Sequence, residues 1–320
     1  MEAFYQVLKR IVLYVFCILT MFPAYFNYTT KQPSYDIGKI QDSSAITVVS
    51  ANARGFDQDD KGSTHWFVRA PLFVKTLEKA KPDIIGMQEV SKVQYRYLQK
   101  SLRGYESEIL YSDDGAFAGG TPLFCNTAKF QVLEKGSFWV SETPEKMSLG
   151  WDAACYRVCS FMLLRQKSDD ARFAVFNTHL DHVGGEARIN GIKMIAERMA
   201  KYGDIPCLLM GDLNAGAEYG SVYRTATTYF KDAKYCTTDS DNGTTWHGWT
   251  ITDKVEIDDF FMISQTGIDV KQYRILRDND NGVYPSDHYP ILMKMTLGNA
   301  AGDTGAEQPQ IVPADPAILP

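Results

Sequence analysis

The sequence contains few cysteines and no excess of positive charge. Six cysteines are spread over 320 residues, which is too few for a disulfide framework. They also lack the paired spacing of a zinc site, so we expect scattered structural thiols. The formal net charge is −6 at pH 7. A chain of this charge has no general attraction for polyanions, which disfavours a large non-specific nucleic-acid footprint but leaves a small local basic patch open.

Several common catalytic motifs are also missing. The chain has no H-E-x-x-H zinc motif, no G-x-S-x-G nucleophile motif and no Gly-Lys-Ser/Thr following a glycine-rich turn. These absences argue against zinc peptidases, serine hydrolases and P-loop nucleotidases. What is present is ordinary for a globular protein: apolar residues make up 45% of the chain and charged residues 22%, enough for a large core.

An apolar run from Ile11 to Phe26 follows Lys9 and Arg10, the order of segments that is typical of a secretory signal. The run is slightly short for a membrane-spanning helix, which needs about 20 residues, and no clear cleavage site follows it. A cleaved signal and a retained anchor therefore both stay open, and either predicts export to the cell envelope, membrane-anchored or secreted. A helix buried in the fold is disfavoured, because a polar stretch separates the run from the first strand.

The composition divides the chain into four parts. Residues 1–30 are the predicted signal peptide or membrane anchor, and residues 31–44 are a polar spacer. Residues 45–297 show no linker and no internal repeat, so we expect one domain there. Residues 298–320 are rich in Ala, Gly, Pro, Asp and Gln and are predicted to be a disordered tail.

Helical and strand patterns alternate within the predicted domain. The predicted helices are Ala70–Ala80, Lys92–Leu102 and Ala187–Tyr202, and the predicted strands are Ala45–Ser50, Asp83–Gln88, Pro122–Cys125, Gln131–Trp139, Arg157–Arg165, Phe173–Thr178, Pro206–Met210, Val255–Ile263 and Tyr289–Met295. This mixture predicts an α/β (α+β) domain. At this length, two packed mixed β-sheets flanked by helices are more economical than one very wide sheet.

Polar residues that can take part in catalysis or bind a metal lie next to several predicted strands. They are Asn52, Glu89, His179, Asp212 with Asn214, and Asp287 with His288, while Asp258 lies inside a predicted strand and needs a partner there. Each signal is weak alone, but together they can converge on one pocket. Carboxylate and amide oxygens suit Mg²⁺ or Mn²⁺, and imidazoles suit proton transfer near neutral pH. The set therefore indicates metal-assisted phosphoester hydrolysis with water as the nucleophile.

The order of these motifs resembles that of the endonuclease/exonuclease/phosphatase (DNase I-like) superfamily. The motifs are N, Q-E, N-T-H, G-D-L-N, I-D and S-D-H, and the resemblance runs from about Ile46 to Met295. A bacterial branch of largely unassigned substrate is most similar, through the segments at 82–86, 138–144, 150–154, 177–182 and 284–290. The resemblance implies a DNase I-like four-layer sandwich and a divalent metal.

The resemblance also implies roles for the eight residues. Glu89 would be the principal metal ligand, helped by Asn52 and Asp287. Asp212 and Asn214 would orient the attacking water and hold a phosphate oxygen.

The two histidines take the remaining roles that the resemblance implies. His288 would act as general base or stabilise the pentacoordinate phosphorus, with its ring oriented by Asp258. His179 would contact the phosphate or protonate the leaving oxygen. The neighbouring Asp259 is interpreted as a solvated strand residue, with an extra cation contact as the alternative.

The chain departs from the family pattern near the strand at 122–125. Gly119-Gly120 stands where the branch usually has Gly-Glu, and Cys125 stands where a Tyr is common. In related enzymes that acid can orient the histidine of the N-T-H segment. Its absence here leaves open how strongly His179 contributes to catalysis.

The expected function is hydrolysis of a small or lipid-linked phosphoester, with membrane association through the N-terminal segment and an open oligomeric state. Selectivity would come from aromatic walls, for which Trp139, Trp151, Trp246 and Trp249 are the candidates. A nuclease is the first alternative, although a nucleic-acid partner is not favoured by the charge. A catalytically weak metal- or ligand-binding envelope protein is the second.

Overall fold

The computed structural model describes residues 2–30, 35–36, 44–57, 60–215, 220–250 and 258–298. Within these ranges the α-helices are α1 (Glu2–Thr30), α2 (Trp66–Ala80), α3 (Lys92–Ser101), α4 (Gly185–Ala200) and α5 (Ser221–Tyr229). The strands are β1 (Tyr35–Asp36), β2 (Ile46–Asn52), β3 (Ile84–Gln88), β4 (Leu102–Arg103), β5 (Tyr105–Glu108), β6 (Leu123–Asn126), β7 (Phe130–Trp139), β8 (Val158–Gln166), β9 (Arg172–His179), β10 (Cys207–Asp212), β11 (Lys231–Asp232), β12 (Asp259–Ile263), β13 (Ile268–Ile275) and β14 (Ile291–Leu297).

The longer strands build two mixed sheets of six strands each. One sheet has the order β13-β14-β2-β3-β6-β5, the other has the order β11-β12-β10-β9-β8-β7, and β1 pairs separately with β4. Apolar side chains from both sheets, such as Val48 and Val175, form a shared inner core. The outer face of the first sheet packs on α2 and α3, and that of the second packs on α4 and α5. The predicted four-layer sandwich is therefore confirmed.

Each sheet has one parallel pair of strands near its centre. In the first sheet β2 pairs with β3, which sets Asn52 beside Gln88. In the second sheet β9 pairs with β10, which sets His179 beside Asp212. Because parallel strands end at the same edge, both sheets present polar side chains at one end of the sandwich.

A buried polar link joins the two sheets just below that end. The side-chain amide of Asn177 on β9 donates to the backbone carbonyls of Met87 (2.8 Å) and Pro122 (2.9 Å), and its oxygen accepts from Gln88 (2.8 Å). These groups are fully buried, so their hydrogen bonds avoid the cost of an unpaired polar atom. The link fixes the second sheet against β3 of the first.

Gly86 on β3 lies where the sheets approach most closely around this link. A Cβ at this position would lie 2.8 Å from the Asn177 side-chain oxygen and 2.8 Å from the sulfur of Met210. Both neighbours are held in the core, so neither has room to move away. The absence of a side chain at Gly86 is thus a packing requirement.

The N-terminal helix is attached to the domain at its last turn. Tyr28 is buried, stacks on Tyr97 with ring centroids 4.4 Å apart, and accepts a hydrogen bond from the indole N–H of Trp66 (3.4 Å). Tyr14 and Leu19, further up the helix, are exposed. The sequence disfavoured a helix packed on the fold, whereas the structure docks this one end. In the part of the chain that the structure describes, no helix combines the length and the apolar character that a membrane crossing requires.

The predicted elements agree with the structure to within a few residues at most ends. The edge strands β5 and β13 and the helix α5 were not predicted. The predicted strand Val255–Ile263 is observed as β12 from Asp259, and its start, like most of 31–44 and all of 299–320, lies outside the described residues. Five cysteines among the described residues are free thiols, which confirms the prediction of unpaired cysteines.

Gly86→Ala should destabilise the protein by about 1–3 kcal/mol, because the added methyl group overpacks the junction between the sheets. The melting temperature should fall by several degrees in a thermal scan. Gly185→Ala is the matched control, since a Cβ there meets no atom within 4 Å. Equal melting temperatures for the two variants would contradict the packing argument.

Candidate active site

A pocket of about 1010 Å³ opens at the end of the sandwich where the parallel strands stop. Seven of the eight predicted site residues line it: Glu89, His179, Asp212, Asn214, Asp258, Asp287 and His288. The eighth, Asn52, lies directly beneath Glu89 and Asp212. The structure thus brings together side chains that are more than 200 residues apart in the sequence.

Glu89 occupies the turn after β3 with a positive φ of 59°. This left-handed backbone carries the side chain back toward β2, where its carboxylate accepts from the backbone N–H of Gly55 (2.9 Å) and the amide of Asn52 (3.0 Å). Burial opposes ionisation, but the positive charge that His179 carries when protonated, together with these two donors, outweighs it and lowers the pKa of Glu89 to about 2. Glu89 is therefore a carboxylate at any ordinary pH.

Asn52 links the carboxylates of the two sheets. Its side-chain nitrogen donates to Glu89 (3.0 Å) and to Asp212 (2.9 Å), while its oxygen accepts from the backbone N–H of Arg54 (2.9 Å). The amide oxygen accepts one backbone hydrogen bond and has a second lone pair. The role of Asn52 as a metal ligand stays a prediction.

Asp212 lies at the centre of the polar cluster. Its carboxylate is 3.4 Å from Nε2 of His179 and 3.8 Å from Nε2 of His288. Burial and the nearby Asp259 carboxylate raise the pKa of Asp212 to about 6, against the opposing effect of His288. Asp212 can therefore exchange a proton near neutral pH.

His288 is oriented by Asp259. The two residues are buried, and Nδ1 of His288 lies 2.9 Å from Oδ2 of Asp259. Burial alone would lower the pKa of His288, but the Asp259 carboxylate outweighs it and raises that pKa well above 6.5. Two predictions are corrected here: the partner of His288 is Asp259 instead of Asp258, and Asp259 is a buried residue of the site instead of a solvated one.

Asp258 has a different position. It precedes β12, is buried, and lines the pocket. Its backbone N–H donates to the hydroxyl of Thr245 (3.0 Å), and its carbonyl accepts from Leu213 (2.7 Å). Adjacent residues of an extended chain face opposite ways, so only one of Asp258 and Asp259 can face His288 in this register.

His179 is the neutral histidine of the site. It ends β9, and burial together with the positive charge of Arg157 keeps its pKa well below 6.5. Positions 119 and 120 are both glycines, so no acidic side chain there raises the pKa of His179. The backbone there lies against Glu89, since a Cβ on Gly119 would be 3.3 Å from the Glu89 Cα.

Asp287 faces Arg54, at 3.9 Å from its guanidinium. Asn214 has a positive φ of 47° and donates its side-chain amide to the carbonyl of Leu180 (2.9 Å). Asn214 reaches the pocket from the loop after β10, and Asp287 reaches it from the loop before β14. The sequence placed both at the site correctly.

Arg69 is a residue whose structural importance the sequence did not reveal. It is fully buried and donates to four backbone carbonyls: those of Thr64 (2.7 Å), Ala53 (2.6 Å), Arg54 (2.6 Å) and Pro285 (3.0 Å). It thereby ties the loop after β2 to the loop that carries Asp287 and His288. Its burial lowers its own pKa to about 10, so it stays charged at neutral pH.

The aromatic wall also differs from the prediction. Of the four candidate tryptophans, only Trp246 lines the pocket. Phe117 lines the rim and stacks on Phe56, with ring centroids 5.9 Å apart. Phe117 lies in a glycine-rich loop without periodicity, so no sequence pattern marked it.

The donor set fits a divalent cation. Glu89, His179 and Asp212 each offer one ligand atom, and these atoms lie within 4.8 Å of one another. Two of the three are carboxylates, and oxygen ligands are what Mg²⁺ and Mn²⁺ prefer. Glu89 is therefore the residue that would hold such an ion, with ligand atoms of His179 and Asp212 close by.

Comparisons with known proteins agree with this fold. Residues 49–288 match the model of the Endonuclease/Exonuclease/phosphatase family. A family member from Bacteroides vulgatus is 29% identical, with a TM-score of 0.75 over 80% of this chain and all of that one. A mannosyl-6-phosphatase from Bacteroides thetaiotaomicron is 28% identical, with a TM-score of 0.72 over 79% of this chain and all of that one.

An uncharacterized protein of Acanthamoeba polyphaga mimivirus is 29% identical over 174 residues, which cover 50% of this chain and 63% of that protein. The chain spans about two fifths to just under two thirds of the length of the curated relatives it matches. The family match covers most of the chain, so this protein belongs to the Endonuclease/Exonuclease/phosphatase family. Its members are hydrolases that act on phosphoesters and usually use a divalent metal.

Asp259→Asn should lower the pKa of His288, because it removes the carboxylate that stabilises the imidazolium. NMR titration of the ring in chelated protein measures this directly, with Asp258→Asn as the control.

A raised folded-state pKa of His288 stabilises the protein fully below about pH 6.5, and that stability is lost as pH rises through the folded-state value. Asp259→Asn should therefore lose stability most at neutral and mildly acidic pH. A fall in the His288 pKa caused only by Asp258→Asn would contradict the pairing.

Proposed function

We propose that the protein is a divalent-metal-dependent phosphoesterase that uses an activated water on a small or lipid-linked phosphoester. The observation that carries the proposal is the convergence of Glu89, Asp212, His179 and His288 from both sheets on one pocket. The charge states of these groups differ in a way that suits hydrolysis. The Asp212 carboxylate, with a pKa of about 6, lies between neutral His179 and positively charged His288.

In the proposed mechanism Asp212 accepts a proton from the attacking water. Its pKa of about 6 lets it be ionised at neutral pH and still accept a proton. The water oxygen bonds to phosphorus as the bond to the leaving oxygen breaks, and the leaving oxygen takes a proton from solvent in the open pocket. Asn214 lies beside this position, so its side chain can orient the water or hold a phosphate oxygen.

His288 stabilises negative charge on the phosphoryl oxygens. It is held as an imidazolium by Asp259, so it acts as a charged donor and not as a base. This favours the stabilising role over the general-base role that the sequence left open for it. His179 is neutral and contacts the phosphate. A divalent cation held by Glu89 would supply further charge neutralisation at the phosphate and the leaving oxygen.

The pocket itself supports a small substrate. Its volume of about 1010 Å³ is at the upper end of the usual range for small-molecule sites. Carboxylates dominate its floor, so it offers no continuous basic track for a polynucleotide. The similar protein from Bacteroides thetaiotaomicron that is named a mannosyl-6-phosphatase also supports a small phosphoester, a sugar phosphate included.

An aromatic row beside the pocket supports a substrate with an apolar part. The row runs from Phe117 at the rim through Phe56 and Phe67 to Tyr28 at the end of α1, with successive ring centroids 5.9, 5.5 and 4.7 Å apart. An acyl or polyprenyl chain could lie along it. Export through the N-terminal segment stays a prediction from the sequence and would place the enzyme near such lipids.

Glu89→Gln keeps the shape of the side chain but removes the anionic ligand, so hydrolysis should fall by about 10²-fold or more. The full chain would be assayed with Mg²⁺ and with Mn²⁺ against phosphomonoesters, phosphodiesters and phospholipids, before and after chelation. Glu197→Gln, on the exposed face of α4, is the control and should retain wild-type activity. Full activity of chelated protein would exclude the metal mechanism, and inactivity of wild type on every substrate would favour a weak binding protein.

Single- and double-stranded DNA and RNA, each assayed across a salt series, separate the two enzymatic alternatives. A nuclease that contacts many phosphates loses affinity steeply as salt rises, because each neutralised phosphate releases counterions. We expect catalytic efficiency on a small or lipid-linked phosphoester to exceed that on polynucleotide, with little dependence on salt. Efficient and strongly salt-sensitive cleavage of polynucleotide would establish the nuclease instead.

A further inference from the structure

The described part of the pocket wall carries two permanently cationic side chains, Arg54 and Arg157. They lie in very different surroundings. The Arg54 guanidinium is 3.2 Å from Asp57, 3.4 Å from Asp60 and 3.9 Å from Asp287. Three carboxylates therefore compete with any substrate for its charge.

Within the described residues Arg157 has one ion-pair partner, Asp181, and that carboxylate already accepts hydrogen bonds from other groups. Its Nε lies 3.5 Å from a carboxylate oxygen of Asp181. The same carboxylate accepts four backbone N–H groups, at 2.7–3.2 Å, from Ala154, Cys155, Val183 and Gly184. Burial works against the charged form of Asp181, but these donors outweigh it and hold its pKa well below the usual range.

Asp181 stays ionised, but its oxygen atoms are occupied by these backbone donors and, among the described residues, accept no hydrogen bond from Arg157, so the guanidinium keeps N–H donors for the pocket. Arg157 precedes β8, which pairs with β9, so it stands at the same end of the sheet as His179. The hydrogen bonds to the Asp181 carboxylate also hold residues 154–157 against residues 181–184, so that the two segments form one wall of the pocket.

His182 extends this wall toward solvent. Its Nδ1 lies 3.1 Å from Nη2 of Arg157. Arginine can only donate, so Nδ1 is the acceptor and Nε2 carries the ring proton. His182 is exposed and lines the pocket, so a donor on Nε2 accompanies the guanidinium.

We propose that Arg157 and His182 form a second anion site, which binds a phosphate or carboxylate group that the substrate carries close to its scissile phosphoester. The site lies on the wall next to His179. A planar guanidinium with an adjacent imidazole N–H matches the oxygen atoms of either group. The inference rests on the proposed function, since it concerns the substrate of the same pocket. It identifies a doubly anionic small molecule as the preferred class.

Binding of three non-hydrolysable ligands tests the site without relying on turnover. Methylphosphonate carries one anionic group, phosphonoacetate adds a carboxylate, and methylenediphosphonate adds a second phosphonate. Calorimetric titration of the full chain in Mg²⁺ should give affinities about tenfold or more tighter for at least one doubly anionic ligand than for methylphosphonate. The ligand that gains most identifies carboxylate or phosphate as the recognised group.

Arg157→Gln should reduce that preference to about twofold or less, and His182→Gln should reduce it by about threefold. Arg165→Gln is the matched control, because Arg165 lies on β8, the strand that Arg157 precedes, but pairs with exposed Asp170, outside the pocket. Chelation of Mg²⁺ by the ligands is the same for every variant, so it cancels from the comparison. Exposed His182 gives a second variant if Arg157→Gln fails to fold.

A purely structural role for Arg157 would weaken all three ligands equally and leave the preference between them unchanged. That result, or a wild type that binds all three ligands equally, would overturn the second anion site. The activity panel is a separate measurement. Loss of all hydrolysis with an Arg157-dependent preference intact would overturn the proposed function alone, and hydrolysis without the preference would overturn this inference alone.

Discussion

Repulsion among buried carboxylates is the constraint on which this end of the molecule depends. Glu89 comes from one sheet and Asp212 from the other, and each is within hydrogen-bond distance of the same amide nitrogen of Asn52. Two carboxylates in a low-dielectric site repel each other strongly unless donors or cations lie between them. Asn52 supplies donors, and the imidazolium of His288 supplies a charge held between Asp259 and Asp212. The separation of pKa values across the cluster follows from this arrangement.

The two sheets must be held together at this end for that arrangement to persist. Asn177 provides the attachment through hydrogen bonds to the backbone of Met87 and Pro122, and Gly86 provides the close approach. Both lie one layer below the pocket, within the buried core. The site is therefore supported by polar contacts in the middle of an otherwise apolar sandwich, where each lost hydrogen bond is costly.

The sequence predicted the architecture and the positions of the polar residues well, because strand periodicity and motif order are both local signals. It failed on Asp258 and Asp259, where the choice depends on the register of β12 against β10, which no local pattern determines. Arg69 was also missed. It directly precedes the predicted helix Ala70–Ala80, and only the folded structure shows that its guanidinium donates to four carbonyls. In the edge strand β13 a register shift between Val270 and Gln272 interrupts the alternation of polar and apolar residues, so its pattern was weak.

The burial of Arg69 has an electrostatic consequence for the neighbouring acids. Its charge is permanent at neutral pH, and both Asp287 and Glu89 interact with it. An internal cation beneath a site that is rich in carboxylates reduces the net negative field there, and so must reduce the attraction for any second cation. The charge of Arg69, whose hydrogen bonds order the loops, would therefore weaken the binding of an ion at Glu89. A metal at Glu89 would accordingly exchange with the surrounding solution more readily than the number of nearby acids suggests, and its occupancy would follow the free concentration of the ion.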